Sequence, residues 1–264
     1  MKVILCTILL IGTAVAASVI PRIVGGKPAT PHEFPYMVSL QWVGMGISQH
    51  FCGGSLLNAR WVLTAAHCVN ALQGDDDIVA GAHSLRNPDE YEQRRKVLRT
   101  FTHEDYNGNV GPHDIGLIYV LEPFEFNDHV HNLDLPLRES FYPTGYATIS
   151  GWGSMSNTTV PEYPDLLMKA DLPIQSLELC FEIYDNTPLH NTNVCAGELD
   201  GSKAVCSGDS GSPLVKKDSE DGVVVYGITS WTYVPCGTPG TTGVFVNVSY
   251  YYQWIKEIMD YYSN

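Results

Sequence analysis

Residues 206–214 read Cys206-Ser207-Gly208-Asp209-Ser210-Gly211-Ser212-Pro213-Leu214. A serine hydroxyl attacks a carbonyl only under three conditions. A base must take its proton, the backbone around it must be bent and exposed, and donors must face the oxygen that turns negative. Gly208 and Gly211 permit an unusual backbone on both sides of Ser210, so that the Gly208 and Ser210 N–H groups can face one point. A Gly/Ser/Asp run is also what an ordinary surface turn looks like. The choice between the two rests on whether the chain supplies a base, an acid to orient it and a partner for Asp209.

Upstream, Leu63-Thr64-Ala65-Ala66-His67-Cys68 sets a histidine after small residues and beside a cysteine, where a disulfide would fix its position. His113-Asp114-Ile115-Gly116-Leu117-Ile118 opens an apolar strand with an aspartate. A carboxylate beside a buried run needs a partner, and a histidine N–H would serve. Taken singly, His67 reads first as a surface or satisfied core histidine, and Asp114 as a turn residue.

The segments around these residues are strand-like. Tyr36, Val38 and Leu40 alternate, and short apolar runs such as Trp61–Leu63, Ile115–Leu121, Tyr146–Ile149 and Val223–Ile228 recur between Gly, Pro, Asn and Asp. Many short strands with turn signals predict an all-β sandwich or barrel. Ser176-Leu177-Glu178-Leu179 predicts a capped short helix. Residues 249–262 place Trp254, Ile255, Ile258, Met259 and Tyr262 on one face, which predicts a terminal helix packed against the second half. Leu133–Leu137 reads as the linker between halves.

The first 17 residues carry Lys2, an apolar run from Val3 and a small-residue end, and read as a secretory signal peptide. A remnant, residues 18–22, precedes Ile23-Val24-Gly25-Gly26. The run is too short for a good membrane span, so a secreted, extracellular protein is expected. With 29 acidic against 15 basic residues the formal net charge is −14, which argues against nucleic acid or an anionic membrane as partner. Of seven cysteines Cys6 lies in the signal. The others, Cys52, Cys68, Cys180, Cys195, Cys206 and Cys236, suit disulfides in a secreted chain, with the pairing open. No C-x-x-C pair occurs, and neither metal nor cofactor is indicated.

Ile23-Val24-Gly25-Gly26, Thr64–Cys68, Asp114-Ile115, Gly151-Trp152-Gly153, Gly208–Gly211 and Ser230-Trp231 occur together and in one order. On these motifs residues 23–264 resemble the trypsin/chymotrypsin family of secreted serine endopeptidases. The resemblance implies two six-stranded antiparallel β-barrels with the active site in the cleft between them. The barrels would span about 23–135 and about 136–248, followed by a C-terminal helix at about 249–262. It implies a triad of Ser210 as nucleophile, His67 as base and then acid, and Asp114 as its orienting group. The Gly208 and Ser210 N–H groups would form the oxyanion hole. The pairs Cys52–Cys68, Cys180–Cys195 and Cys206–Cys236 are implied likewise. Cutting after Arg22 by an activating trypsin-like protease would free an ammonium at Ile23 to pair with Asp209. Protein or peptide substrates, protein protease inhibitors and a monomeric state are the partners such a member has.

Aligned on the same motifs, Ala204 stands at the base of the first substrate pocket with Val205 beside it. Thr232 and Gly243 would form its walls, and the backbone of Ser230, Trp231 and Thr232 would pair with substrate as an added strand. No aspartate is there to meet Lys or Arg, and Thr232 with Val205 would narrow the space. An elastase-like preference for small to medium aliphatic residues follows. A chymotrypsin-like preference for aromatic or large apolar residues is the alternative. A catalytically silent binding homologue is opposed by the presence of all three triad residues. Ser212 replaces the family's usual glycine. The loop Gly81–Glu92 has Ala82 at its first carboxylate position, so calcium is not expected there despite Asp89 and Glu92. Asn157-Thr158-Thr159 and Asn247-Val248-Ser249 are glycosylation sequons.

Overall fold

The computed structural model describes residues 23–108, 110–137, 141–218 and 222–262. The signal segment, the remnant and Arg22 lie outside the described residues. In chain order the first elements are β1 (Lys27–Pro28), β2 (Met37–Gly44), β3 (Ile47–Leu56), β4 (Trp61–Thr64), α1 (Ala66–Asn70), β5 (Asp77–Ala80), β6 (Gln93–Thr102) and β7 (Gly116–Val120). Then follow β8 (Tyr146–Gly151), β9 (Met168–Pro173), α2 (Leu177–Ile183), β10 (Asn193–Ala196), β11 (Pro213–Asp218), β12 (Gly222–Trp231) and β13 (Gly243–Asn247). The described chain ends in a 3₁₀ turn, Val248–Tyr251, and α3 (Tyr252–Tyr262).

Strands β2 to β7 close into a six-stranded barrel in the order β2-β3-β4-β7-β6-β5, every pair antiparallel. Closure leaves no strand edge and lets Val38, Leu40, Leu56, Leu63, Ile78 and Leu117 be fully buried inside. The second sheet runs β1-β9-β8-β11-β12-β13-β10. It curls until the ends of β9 and β10 meet at an Ile174–Ala196 bridge, where Gly197 N donates to Pro173 O at 3.1 Å. Ile149, Leu172, Val194, Leu214 and Phe245 fill it. The all-β, two-halved reading is thus observed: the first half is a closed six-stranded barrel, and the second, expected with six strands, is a seven-stranded sheet curled into a half-barrel.

The linker belongs to both halves: Leu133 N donates to Leu56 O and Val225 N to Asp134 O. Two expectations are corrected. The segment 23–28, assigned to the first barrel, lies on the second, where β1 pairs with β9 and Val24 bridges to Ala204. The terminal helix starts at Tyr252 and crosses to the first barrel. There Tyr262 meets Phe101 at 4.7 Å, and Trp254 stands 5.3 Å from His103 and donates to Glu104. Amphipathicity shows that a helix has an apolar face, not which barrel receives it. Helix α2 forms as read, with Ser176 Oγ accepting from Leu179 N. Helix α1 has five residues and leaves no periodic signal.

Candidate active site

Strand β4 is buried throughout and delivers the chain to Ala65 and Ala66, both without exposure. Side chains larger than methyl have no room there, so α1 starts at the barrel surface and turns His67 outward. The Cys52–Cys68 disulfide ties α1 to β3. Asp114 lies two residues before β7 and is 3 % exposed. Three donors satisfy its carboxylate: His67 N at 2.9 Å, His67 Nδ1 at 2.8 Å and Ser230 Oγ at 2.5 Å. A carboxylate accepts and does not donate, so Nδ1 carries the ring proton and the lone pair is on Nε2. Nε2 stands 3.5 Å from Cys68 Sγ.

Ser230 reaches Asp114 because of a bulge. Strand β12 pairs Thr229 with Phe245 and Trp231 with Val244, which leaves Ser230 as the extra residue in the ladder. Bulges re-aim side chains in this way. Ser230 was expected only to pair its backbone with substrate; the bond of its side chain to the acid is a second role that strand alternation does not show.

Ser210 comes from the turn before β11. Asp209 beneath it is fully buried and accepts from Cys206 N at 2.9 Å and Gly153 N at 2.8 Å. Its carboxylate presses on the Gly151-Trp152-Gly153 segment so closely that a Cβ on Gly153 would overlap it. Burial pushes the Asp209 pKa up to about 6, against the two N–H bonds that lower it. Gly211 takes φ +79°, and a Cβ there would fall on Thr64 Oγ1 and Gly53 O. That contact sets the serine turn against the residues leading into His67, and Gly53 N donates to Ser210 O at 2.8 Å. Ser210 Oγ makes no hydrogen bond among the described residues. Ser207 O is held by Ser154 N at 2.7 Å and Asp209 N by Cys206 O at 3.0 Å. The N–H groups of Gly208 and Ser210 have no acceptor among the described residues.

His50 completes the seam and was missed in the sequence. Its Nε2 donates to Gly208 O at 3.0 Å, and its Nδ1 accepts from Ser39 Oγ at 2.8 Å. Burial lowers its pKa to about 4, against the Gly208 bond that raises it, and so keeps it neutral. No local signal marks it: a bulge at Phe51 pairs Cys52 with Leu40 and His50 with Gln41, which turns His50 to the opposite face from Cys52 although the two are two residues apart.

A cavity of about 200 Å³ opens beside Ser210, lined by Val205, Ser207, Ser230, Trp231, Thr232 and Val234 among others. Thr232 Oγ1 donates to Thr242 O at 3.3 Å. Ala204 and Gly243, expected as base and wall, do not line it. Ala204 packs with Val24, Cys206 and Cys236, and Gly243 is buried behind Val205. The other disulfides, Cys180–Cys195 and Cys206–Cys236, are formed with Cα separations of 6.0 Å and 5.5 Å. Asn157 is exposed. Asn247 is corrected as a glycosylation acceptor: it is fully buried, and its Nδ2, the atom a glycan would need, donates to Phe141 O at 3.0 Å. Its Oδ1 accepts from Ser249 N, so Asn247 caps the turn before α3.

Ser212 is fully buried and its Oγ has no partner among the described residues. Leaving a hydroxyl unsatisfied costs about 1–3 kcal/mol, and alanine removes that cost without widening the turn. Ser212→Ala is expected to be about 1 kcal/mol more stable or better, seen as a higher urea midpoint at unchanged slope. A lower midpoint would show that the hydroxyl is satisfied.

These two barrels, with a helix after the second and a His–Asp pair at their seam, are the chymotrypsin-like fold. The trypsin family profile matches residues 23–255. Trypsin-1 of Astacus astacus is 36% identical over 244 residues, covering 89% of this chain and 98% of that protein. Lectizyme of Glossina austeni is 38% identical over 256 residues, covering 92% and 88%. Glandular kallikrein-10 of Rattus norvegicus is 35% identical over 250 residues, covering 90% of each. The chain belongs to the trypsin family and is a serine endopeptidase. No helix among the described residues is long and apolar enough to cross a membrane.

Proposed function

We propose that this endopeptidase is secreted as a zymogen, is activated by a cut after Arg22, and cleaves after small to medium aliphatic residues through an acyl-enzyme on Ser210. In this reading Ser210 Oγ attacks the scissile carbonyl while His67 Nε2 takes its proton. The imidazolium is stabilised by Asp114 and then protonates the leaving amine. Water repeats the sequence on the ester. The reading is carried by the pair of unclaimed N–H groups at Gly208 and Ser210, whose peptide neighbours are held by Ser154, Cys206 and His50. Donors fixed before the reaction stabilise the oxyanion without reorganising. Asn157 is the glycan acceptor in this reading.

The activating cut turns the Ile23 nitrogen into an ammonium. Ile23 is fully buried in the second barrel's core cluster, and Asp209 is a buried carboxylate without a cationic partner among the described residues. Their pairing would hold the turn that carries both oxyanion donors.

Specificity rests on Val205 and Thr232. The cavity of about 200 Å³ lies below the ~300–1,000 Å³ of drug-sized sites, and Thr232 is part of its wall. The test is trypsin cleavage of the zymogen, then peptide anilides ending in Ala, Val, Leu, Phe, Tyr and Arg. Ala, Val and Leu are expected to turn over fastest and Arg not at all. Thr232→Gly is expected to move the Phe/Val ratio of kcat/KM toward Phe by about 10- to 200-fold. Fast Arg cleavage would overturn the pocket reading. No turnover of any anilide, with no labelling by a serine-directed phosphonate, would overturn the catalytic one.

A further inference from the structure

We propose that His103, Asp105 and His113 form a Zn²⁺ site on the loop that leads into Asp114. One ligand atom from each lies within 4.8 Å of the other two. Tetrahedral zinc with bonds of ~2.0–2.1 Å needs ligand atoms roughly 3.4 Å apart, so closure takes only a small rotation of side chains. Both histidines are half-buried and Asp105 is exposed, which leaves the ion a path from solvent.

The surroundings prepare His113 for a metal. Tyr251 Oη donates its single proton to Thr192 Oγ1 at 3.0 Å, so toward His113 Nδ1, also at 3.0 Å, it accepts. The His113 proton therefore sits on Nδ1 and the Nε2 lone pair is free. A ligating histidine is commonly oriented through its other nitrogen in this manner. His103 Nδ1 accepts only a long 3.2 Å bond from Asp105 N, which an ion can replace. The His103 and His113 rings are nearly parallel, with centroids 4.9 Å apart. Two imidazoles and one carboxylate suit zinc with water in the fourth position, and do not suit calcium or magnesium, which take oxygen ligands. The pattern is illegible in the sequence, because the loop must fold back before residue 113 meets residues 103 and 105.

His113 holds φ +66°, immediately before Asp114. An ion there would tie the loop below α3 to the residue that precedes the triad's acid.

The test uses the full chain carrying Ser210→Ala, so that it cannot digest itself. Zn²⁺ is titrated by calorimetry, Co²⁺ is followed by its visible absorption, and the melting temperature is taken with and without Zn²⁺. One equivalent is expected to bind and to raise the melting temperature. His103→Gln, Asp105→Asn and His113→Asn should each weaken binding at least tenfold, and Tyr251→Phe by about 10- to 100-fold. His67→Gln should leave it unchanged. Asparagine tolerates the left-handed backbone at 113, and should that variant not fold, the half-buried 103 and exposed 105 carry the test. No binding, or binding lost in His67→Gln and kept in His103→Gln and Asp105→Asn, overturns the proposal.

Discussion

Ser210→Ala is expected to lower kcat on a peptide anilide by about 10⁶-fold and to leave stability within about 0.5 kcal/mol of the parent. The two halves of this expectation have separate causes. Ser210 Oγ makes no hydrogen bond among the described residues, so its loss removes no interaction from the fold. The turn itself is held by backbone: Gly53 N on Ser210 O and Gly211 N on Thr229 O, both at 2.8 Å. In the proposed mechanism catalysis loses the group that would form the ester. The Gly208 and Ser210 N–H groups survive the change, so a residual ~10³- to 10⁴-fold rate enhancement over water should remain. His67→Ala should cost about as much, and the double variant no more than either, because nucleophile and base act as one unit. Activity within tenfold of the parent in Ser210→Ala would remove Ser210 from the mechanism. A multiplicative double variant would show that His67 acts elsewhere.

Asp209→Asn in the cut enzyme is expected to lower kcat by about 10²- to 10³-fold, the loss typical of one misplaced oxyanion donor. The pH dependence of stability provides an independent check. In the uncut chain burial raises the folded-state pKa of Asp209 from 3.8 to about 6. Between those values the folded state holds more protons than the unfolded one. Stability attributable to Asp209 therefore falls as pH rises from about 4 to 6, by about 3 kcal/mol in total. After cleavage an adjacent ammonium would pull the folded pKa below the unfolded one, and the sign would reverse. Urea melts from about pH 2 to 7, taken as parent minus Asp209→Asn before and after trypsin, read the first slope between about pH 4 and 6 and the reversed one below about pH 4. Equal slopes before and after the cut would mean that Ile23 does not pair with Asp209.

Much of the candidate site was legible because its chemistry is local in the chain. Gly211 must be glycine since a Cβ would meet Thr64 and Gly53, and Gly153 since Asp209 lies against it. Such steric demands leave fixed letters at fixed spacings. The cysteine pairs implied by the family resemblance are formed for the same reason: each stands where its partner's strand or turn requires it. The alternation of Val38 and Leu40 and the repeated short apolar runs were enough for an all-β reading.

Contacts between residues far apart in sequence were not legible. The Ser230 bond to Asp114 spans 116 residues and depends on a bulge. The His50 bond to Gly208 spans 158 and depends on how the two barrels abut. Val205 lines the cavity and Ala204 packs with Val24 and Cys236 instead, because alignment gives order along the chain and not the direction of a side chain. Asn247 fits a sequon by its letters and is excluded by its burial. The terminal helix announced its apolar face and crossed to the first barrel, where Phe101 and His103 meet it. By itself the sequence determined which residues could do this chemistry and that the chain would be strands, since those follow from side-chain type and short-range period. Only the tertiary structure decided which groups meet at the seam, which N–H groups remain unclaimed and how wide the pocket is. Those depend on the packing of one barrel against the other, which no local stretch encodes.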